Sequence, residues 1–224
     1  MKYFLAFCLT VTSVLLQSHL QAQGFMADAV NPGRVYREMK PSDVSGSALL
    51  FDNWTLARVK ITHGKLITGL LVNFDVYGNK ALYLNKDETF EFGDEIDYIE
   101  TGFDGNGERQ LFMNGFIADQ FHSKTFVQVL NEGRYRLLKY VRRVLVDNKG
   151  YGSAVESKAL EQQVFYFIAD NKATVPVKLS KSSLEEFAGR RWEKLRVFID
   201  TNSLNIKKEP DYAKALAYLS SITP

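Results

Sequence analysis

Phe126-Val127-Gln128-Val129-Leu130-Asn131-Glu132-Gly133-Arg134-Tyr135-Arg136-Leu137-Leu138-Lys139-Tyr140 is the stretch that decides the fold. Two apolar runs rich in β-branched and aromatic residues flank a polar break that ends in glycine, which predicts an antiparallel hairpin. The second run continues to Val146. The same pattern extends in both directions. Val59 and Ile61 alternate with Arg58, Lys60 and Thr62, a half-buried strand. His63-Gly64 predicts a tight turn with positive φ at Gly64, and Lys65 to Val76 continues as strand. Tyr77-Gly78-Asn79-Lys80, Asn85-Lys86-Asp87-Glu88 and Asp104-Gly105-Asn106-Gly107 separate further runs at Ala81–Leu84, Phe90–Phe92, Ile96–Ile99 and Gln110–Met113. Gln162–Ile168 and Thr174–Leu179 flank Asp170-Asn171-Lys172, and Pro176, which cannot donate to a ladder, marks an edge strand.

The hydrophobic period changes near Lys181. Ser183-Leu184-Glu185-Glu186 reads as a capping box, and Trp192, Leu195 and Ile199 recur on one helical face. Glu209-Pro210-Asp211 opens another helix, with Tyr212, Leu216 and Leu219 as its apolar face. The expected fold class is therefore α+β. An antiparallel β body over 46–180, either a sandwich or a partly open barrel, carries two to three helices over 181–224. An irregular lead-in over 23–45 includes one short strand at Gly33–Arg37. No internal repeat is apparent.

Residues 1–22 read as a secretory signal peptide: Lys2, an apolar run from Phe4 to Leu16, and a small-residue cut site at Leu20-Gln21-Ala22. That run is too short to span a bilayer, and no other stretch is long and apolar enough to do so. The protein is expected to be exported, periplasmic or extracellular, without a transmembrane span. Cys8, the only cysteine, lies within the signal, so the mature chain has no thiol for disulfides, catalysis or metal ligation. Lys and Arg total 28 against 26 Asp and Glu, a net +2 over 224 residues, which argues against dedicated nucleic-acid binding.

No nucleophile elbow, P-loop, dinucleotide fingerprint or zinc-helix motif occurs. No catalytic, metal or cofactor site is read. His63 sits in a turn, and His122 has no partner at any local spacing. Asp104-Gly105-Asn106-Gly107-Glu108 has Arg109 and Gly115 where a calcium loop needs glycine and glutamate. Asp87, Glu88, Glu91, Asp94, Glu95, Asp97 and Glu100 form an acidic run that reads as a solvated face, although such density suits a hard cation or a basic partner. Trp54, ahead of a strand, is a weak candidate sugar platform. The candidate binding residues are Arg134, Arg136, Lys139, Arg142 and Arg143, five cations in ten residues. They either protect a strand against edge pairing, pair with the acidic run, or bind an anionic polymer or protein of a cell envelope.

Gly46-Ser47 and Leu50-Phe51-Asp52-Asn53-Trp54 before the Val59–Ile61 strand, then Phe126-Val127-Gln128-Val129-Leu130, Leu137-Leu138-Lys139 and Lys207-Lys208-Glu209, resemble secreted proteins of Bacteroidota. The resemblance implies an exported envelope or periplasmic protein of a Gram-negative bacterium and supplies no catalytic residues. The expected function is an exported, non-catalytic binding or scaffold protein of the envelope. The alternatives are a periplasmic carboxylate-dependent hydrolase and a carrier of a small apolar ligand.

Overall fold

Every hairpin read from the sequence joins two neighbouring strands of a single sheet in the computed structural model, which describes residues 30, 32–62, 64–105, 107–148 and 157–222. The expected signal peptide at 1–22, Cys8 and His63 lie outside the described residues. The strands are β1 (Pro32–Val35), β2 (Val44–Ser45), β3 (Thr55–Ile61), β4 (Leu66–Asp75), β5 (Lys80–Asn85) and β6 (Glu88–Phe92), followed by β7 (Ile96–Thr101), β8 (Gln110–Met113), β9 (Val127–Val129), β10 (Arg136–Asn148), β11 (Ser157–Ala169) and β12 (Thr174–Val177). Their order across the sheet is β1-β6-β5-β4-β3-β7-β8-β9-β10-β11-β12, with β2 beside β11. All pairs are antiparallel except β2 with β11. Of the two arrangements the sequence leaves open, one continuous sheet is found rather than two stacked ones. Pro176 lies in β12, at the sheet's end, as its missing donor requires.

The sheet curls. Past the end of β9, the Arg143 N–H on β10 donates to Val76 O just beyond β4 (3.1 Å). The sharpest irregularity between β3 and β4 is a bulge. Ala57 faces Leu70 and Arg58 faces Thr68, so Gly69 is the extra residue, at φ 93°. Gly64, by contrast, is not in the left-handed region. What keeps a side chain out there is Ile61, whose Cγ2 would lie 2.9 Å from an added Cβ.

The C-terminal segment forms helices α1 (Lys181–Ala188), α2 (Trp192–Thr201) and α3 (Glu209–Ser221), with a 3₁₀ turn at Gly189–Arg191. The cap of α1 is Ser180, not Ser183. Extended backbone at Ser180 (φ −145°) leaves its hydroxyl positioned to accept the Ser183 N–H at 3.2 Å. Ser183 therefore already belongs to the first turn.

Cross-strand register explains where the cores sit. Ile67, Val59, Ile99, Phe112, Gln128, Lys139, Tyr166 and Val177 form one unbroken row from β4 to β12 on the inner face of the curl. At the first end this face packs into an aliphatic and aromatic core with Leu70, Val72, Phe74 and Tyr83. At the other end, Leu137 and Ile168 meet the buried stripe of the helices, including Leu184, Leu195, Tyr212, Leu216 and Leu219. Each such side chain contributes about 2 kcal/mol by burial. The outer face of β9–β11 carries a third cluster with Phe121, Val127, Leu138 and Phe167.

Because Gly69 occupies the left-handed region with open space around it, Gly69→Ala tests conformation alone. The substitution is expected to lower stability by about 1–2 kcal/mol, read from the urea midpoint at unchanged slope. An unchanged midpoint would contradict the bulge.

Candidate functional site

Between the two inner-face cores the row turns polar, at Gln128 and Lys139, and a groove opens there. Two adjoining recesses form it. One, of about 210 Å³, is walled by Phe51, Phe74, Phe112 and Phe126 and bordered by Gln110, Gln128, Gln162 and Lys139. The other, of about 390 Å³, shares Gln110, Gln128 and Lys139 and is closed by α3 at Glu209, Pro210 and Ala213.

The aromatic wall is held by buried polar groups on β4. Asn73 accepts the Phe51 N–H at 3.1 Å and donates to Phe51 O at 2.9 Å. The Leu50 N–H donates to Phe74 O and the Val76 N–H to Ala48 O, fixing the 48–51 segment along β4. Phe51 then meets Phe74 and Phe112 edge-on, while Phe74 and Phe112 lie 4.4 Å apart. Asp75, almost fully buried, accepts from the Tyr77 and Gly78 N–H groups and from the Tyr36 hydroxyl at 2.9 Å, tying the lead-in to the β4–β5 turn. Burial first, then this carboxylate, pushes the Tyr36 phenol upward.

The floor is set by charge. Lys139 Nζ lies 2.9 Å from Glu209 Oε1, to which the Tyr166 hydroxyl also donates at 2.5 Å. Burial raises the Glu209 pKa, but the hydrogen bonds from Lys139 and Tyr166 outweigh it and hold the carboxyl below its ordinary value. Glu209 is also the first residue of α3, where the helix dipole favours an anion. Burial and the same carboxylate raise the Tyr166 phenol. Among the described residues, the side-chain amides of Gln110, Gln128 and Gln162 have no protein hydrogen-bond partner.

The five candidate cations do not form one patch. Period-two alternation puts Arg136 and Arg142 on the outer face of β10, and Lys139 and Arg143 on the inner face. Arg134 precedes the strand and lies 5.7 Å over the Tyr135 ring. Arg142 bonds Gln163 Oε1 at 3.0 Å and covers Phe165, and Arg143 donates to Ser47 O. Only Lys139 borders the groove among these five.

The acidic run is dispersed among separate partners. Glu91 pairs with Lys80 at 2.8 Å, Asp97 accepts from Thr62 at 2.6 Å, and buried Glu100 meets Arg58 and Arg109. Among the described residues, no three His, Cys, Asp or Glu side chains gather into a metal-holding group. His122 is exposed, its Nδ1 accepting the Lys124 N–H and its Nε2 lying 3.4 Å from the Asn79 amide. Trp54 is half-buried and lines neither recess of the groove. No described helix is long and apolar enough to cross a membrane.

The glutamines and the aromatic wall are absent from the sequence-based expectation. A signal for Gln128 exists: it shares strand parity with Phe126 and Leu130, a polar residue on a face otherwise apolar. No family model matches this chain, nor does any curated protein or solved structure.

Because the folded state holds Glu209 ionised, its contribution to stability is present above the ordinary carboxylate range and lost as pH falls through its lowered value. Glu209→Gln is expected to cost about 2 kcal/mol at neutral pH and to flatten the acid limb of the stability–pH curve. Parallel curves for variant and parent would contradict the pairing.

Proposed function

We propose that this chain is an exported, non-catalytic binding protein of the cell envelope, and that its ligand lies in the groove between the β core and α3. The observation carrying this reading is the set of three unpartnered glutamine amides around a wall of phenylalanines. Amides offer both donors and acceptors without net charge, and aromatic faces cover apolar patches. Such a lining suits a neutral, hydrogen-bonding ligand with apolar faces, such as a glycan strand or a short peptide stem of envelope material.

The carboxylate-hydrolase alternative has less support. Glu108 and Glu209 border the same recess, but Glu209 is committed to Lys139 and Tyr166 and its pKa is lowered, whereas a general acid needs a raised one. An apolar-ligand carrier has less support again, because both recesses carry polar borders.

The test is calorimetric titration of the mature protein with soluble fragments of peptidoglycan and of envelope polysaccharide, repeated with Gln110→Ala/Gln128→Ala. One fragment class is expected to bind, with affinity lowered about tenfold in the double variant at unchanged melting temperature. Binding by none of the fragments, or equal binding by the variant, would overturn the reading.

A further inference from the structure

The longest hairpin leaves part of one edge open. β11 pairs with β10 along its whole length. On its other side β12 covers 166–169 and β2 covers 158–159, so among the described residues no strand lies beside 160–165.

The polarity of this edge follows from the register. Leu137 O accepts the Leu130 N–H, so odd residues of β10 bond away from β11, and the even ones bond toward it. Their β11 partners are odd: Phe167, Phe165 and Gln163 opposite Leu138, Tyr140 and Arg142. Gln162 and Val164 therefore direct their N–H and C=O groups to the open side, in line with Tyr166, which uses the same side to meet Val177. Pro176, lacking a donor, faces the odd residue Phe167, as this phase demands.

A surface hollow of about 800 Å³ runs along this edge, with Val164, Phe165, Val177, Lys178 and Lys207 among its borders. Val164 is 37% exposed. Lys178 and Lys207 have no acidic partner among the described residues.

We infer that the β11 edge at Gln162–Val164 accepts an extended, acidic segment of a partner polypeptide as an added strand between β2 and β12. Main-chain bonds to Gln162 and Val164 supply affinity, alternate apolar side chains rest on Val164, and carboxylates meet Lys178 and Lys207. A second copy of this chain fits poorly, because pairing two such edges brings like-charged lysines together. The edge shares Gln162 with the border of the groove but uses its main chain rather than its side-chain amide, and the inference does not depend on the ligand proposed there.

The test uses a fluorescent synthetic peptide alternating valine with glutamate, and its valine–lysine counterpart, with anisotropy and amide hydrogen exchange as readouts. The glutamate peptide is expected to bind and to slow exchange at Gln162 and Val164, while the lysine peptide does neither. Val164→Pro removes the outward donor together with the valine side chain while sparing the β10 ladder, to which the Val164 N–H contributes no bond, and Lys178→Glu/Lys207→Glu changes surface charge alone. Each is expected to weaken binding at least about tenfold. The inference is overturned by absent binding, by equal binding of both peptides, or by binding that Val164→Pro leaves intact. Self-association of the parent protein abolished by Val164→Pro would assign the edge to a second copy and overturn it equally.

Discussion

A lysine on the inner face of a curled sheet, between two apolar cores, has to be satisfied where it stands. Lys139 is only 24% exposed, and an unpaired ammonium in that position would cost several kcal/mol. Glu209 answers it from the first turn of α3, and Tyr166 completes the carboxylate's shell from the neighbouring strand. This trio fixes where α3 begins over the sheet. It also keeps the apolar stripe of the helices from merging with the aromatic core on the same face. The groove is the space that remains.

The architecture was legible in the sequence to the extent that it is local. Turn residues at Asn131-Glu132-Gly133 and Asp170-Asn171-Lys172 mark the hairpins, and Pro176 marks a free end. The apolar faces of α2 and α3 fall on the residues their periodicity picks out. Features that depend on non-local pairing were hidden. The bulge at Gly69 needs the β3 register to be seen, and β2 pairs with residues more than a hundred positions away. The cap at Ser180 is masked in the sequence by the more complete capping pattern three residues later.

Strand alternation disperses the basic stretch over two faces, and most of its cations serve the fold: Arg142 covers Phe165, Arg143 holds the loop at Ser47, and Lys139 orders α3. The groove residues carry little sequence signal, since glutamine is an ordinary surface residue. Gln128 and Lys139 stand out only once strand parity places them on an inward face between apolar neighbours.

The most direct test of this account is a double-mutant cycle in stability between Lys139→Met and Glu209→Gln, measured by urea unfolding at neutral pH. If the pair positions α3, each single substitution leaves a partly buried charge unpaired, and the two together cost less than their sum by at least about 1 kcal/mol. Strictly additive losses would mean that Lys139 and Glu209 are independently solvated, and that the groove owes its shape to apolar packing alone.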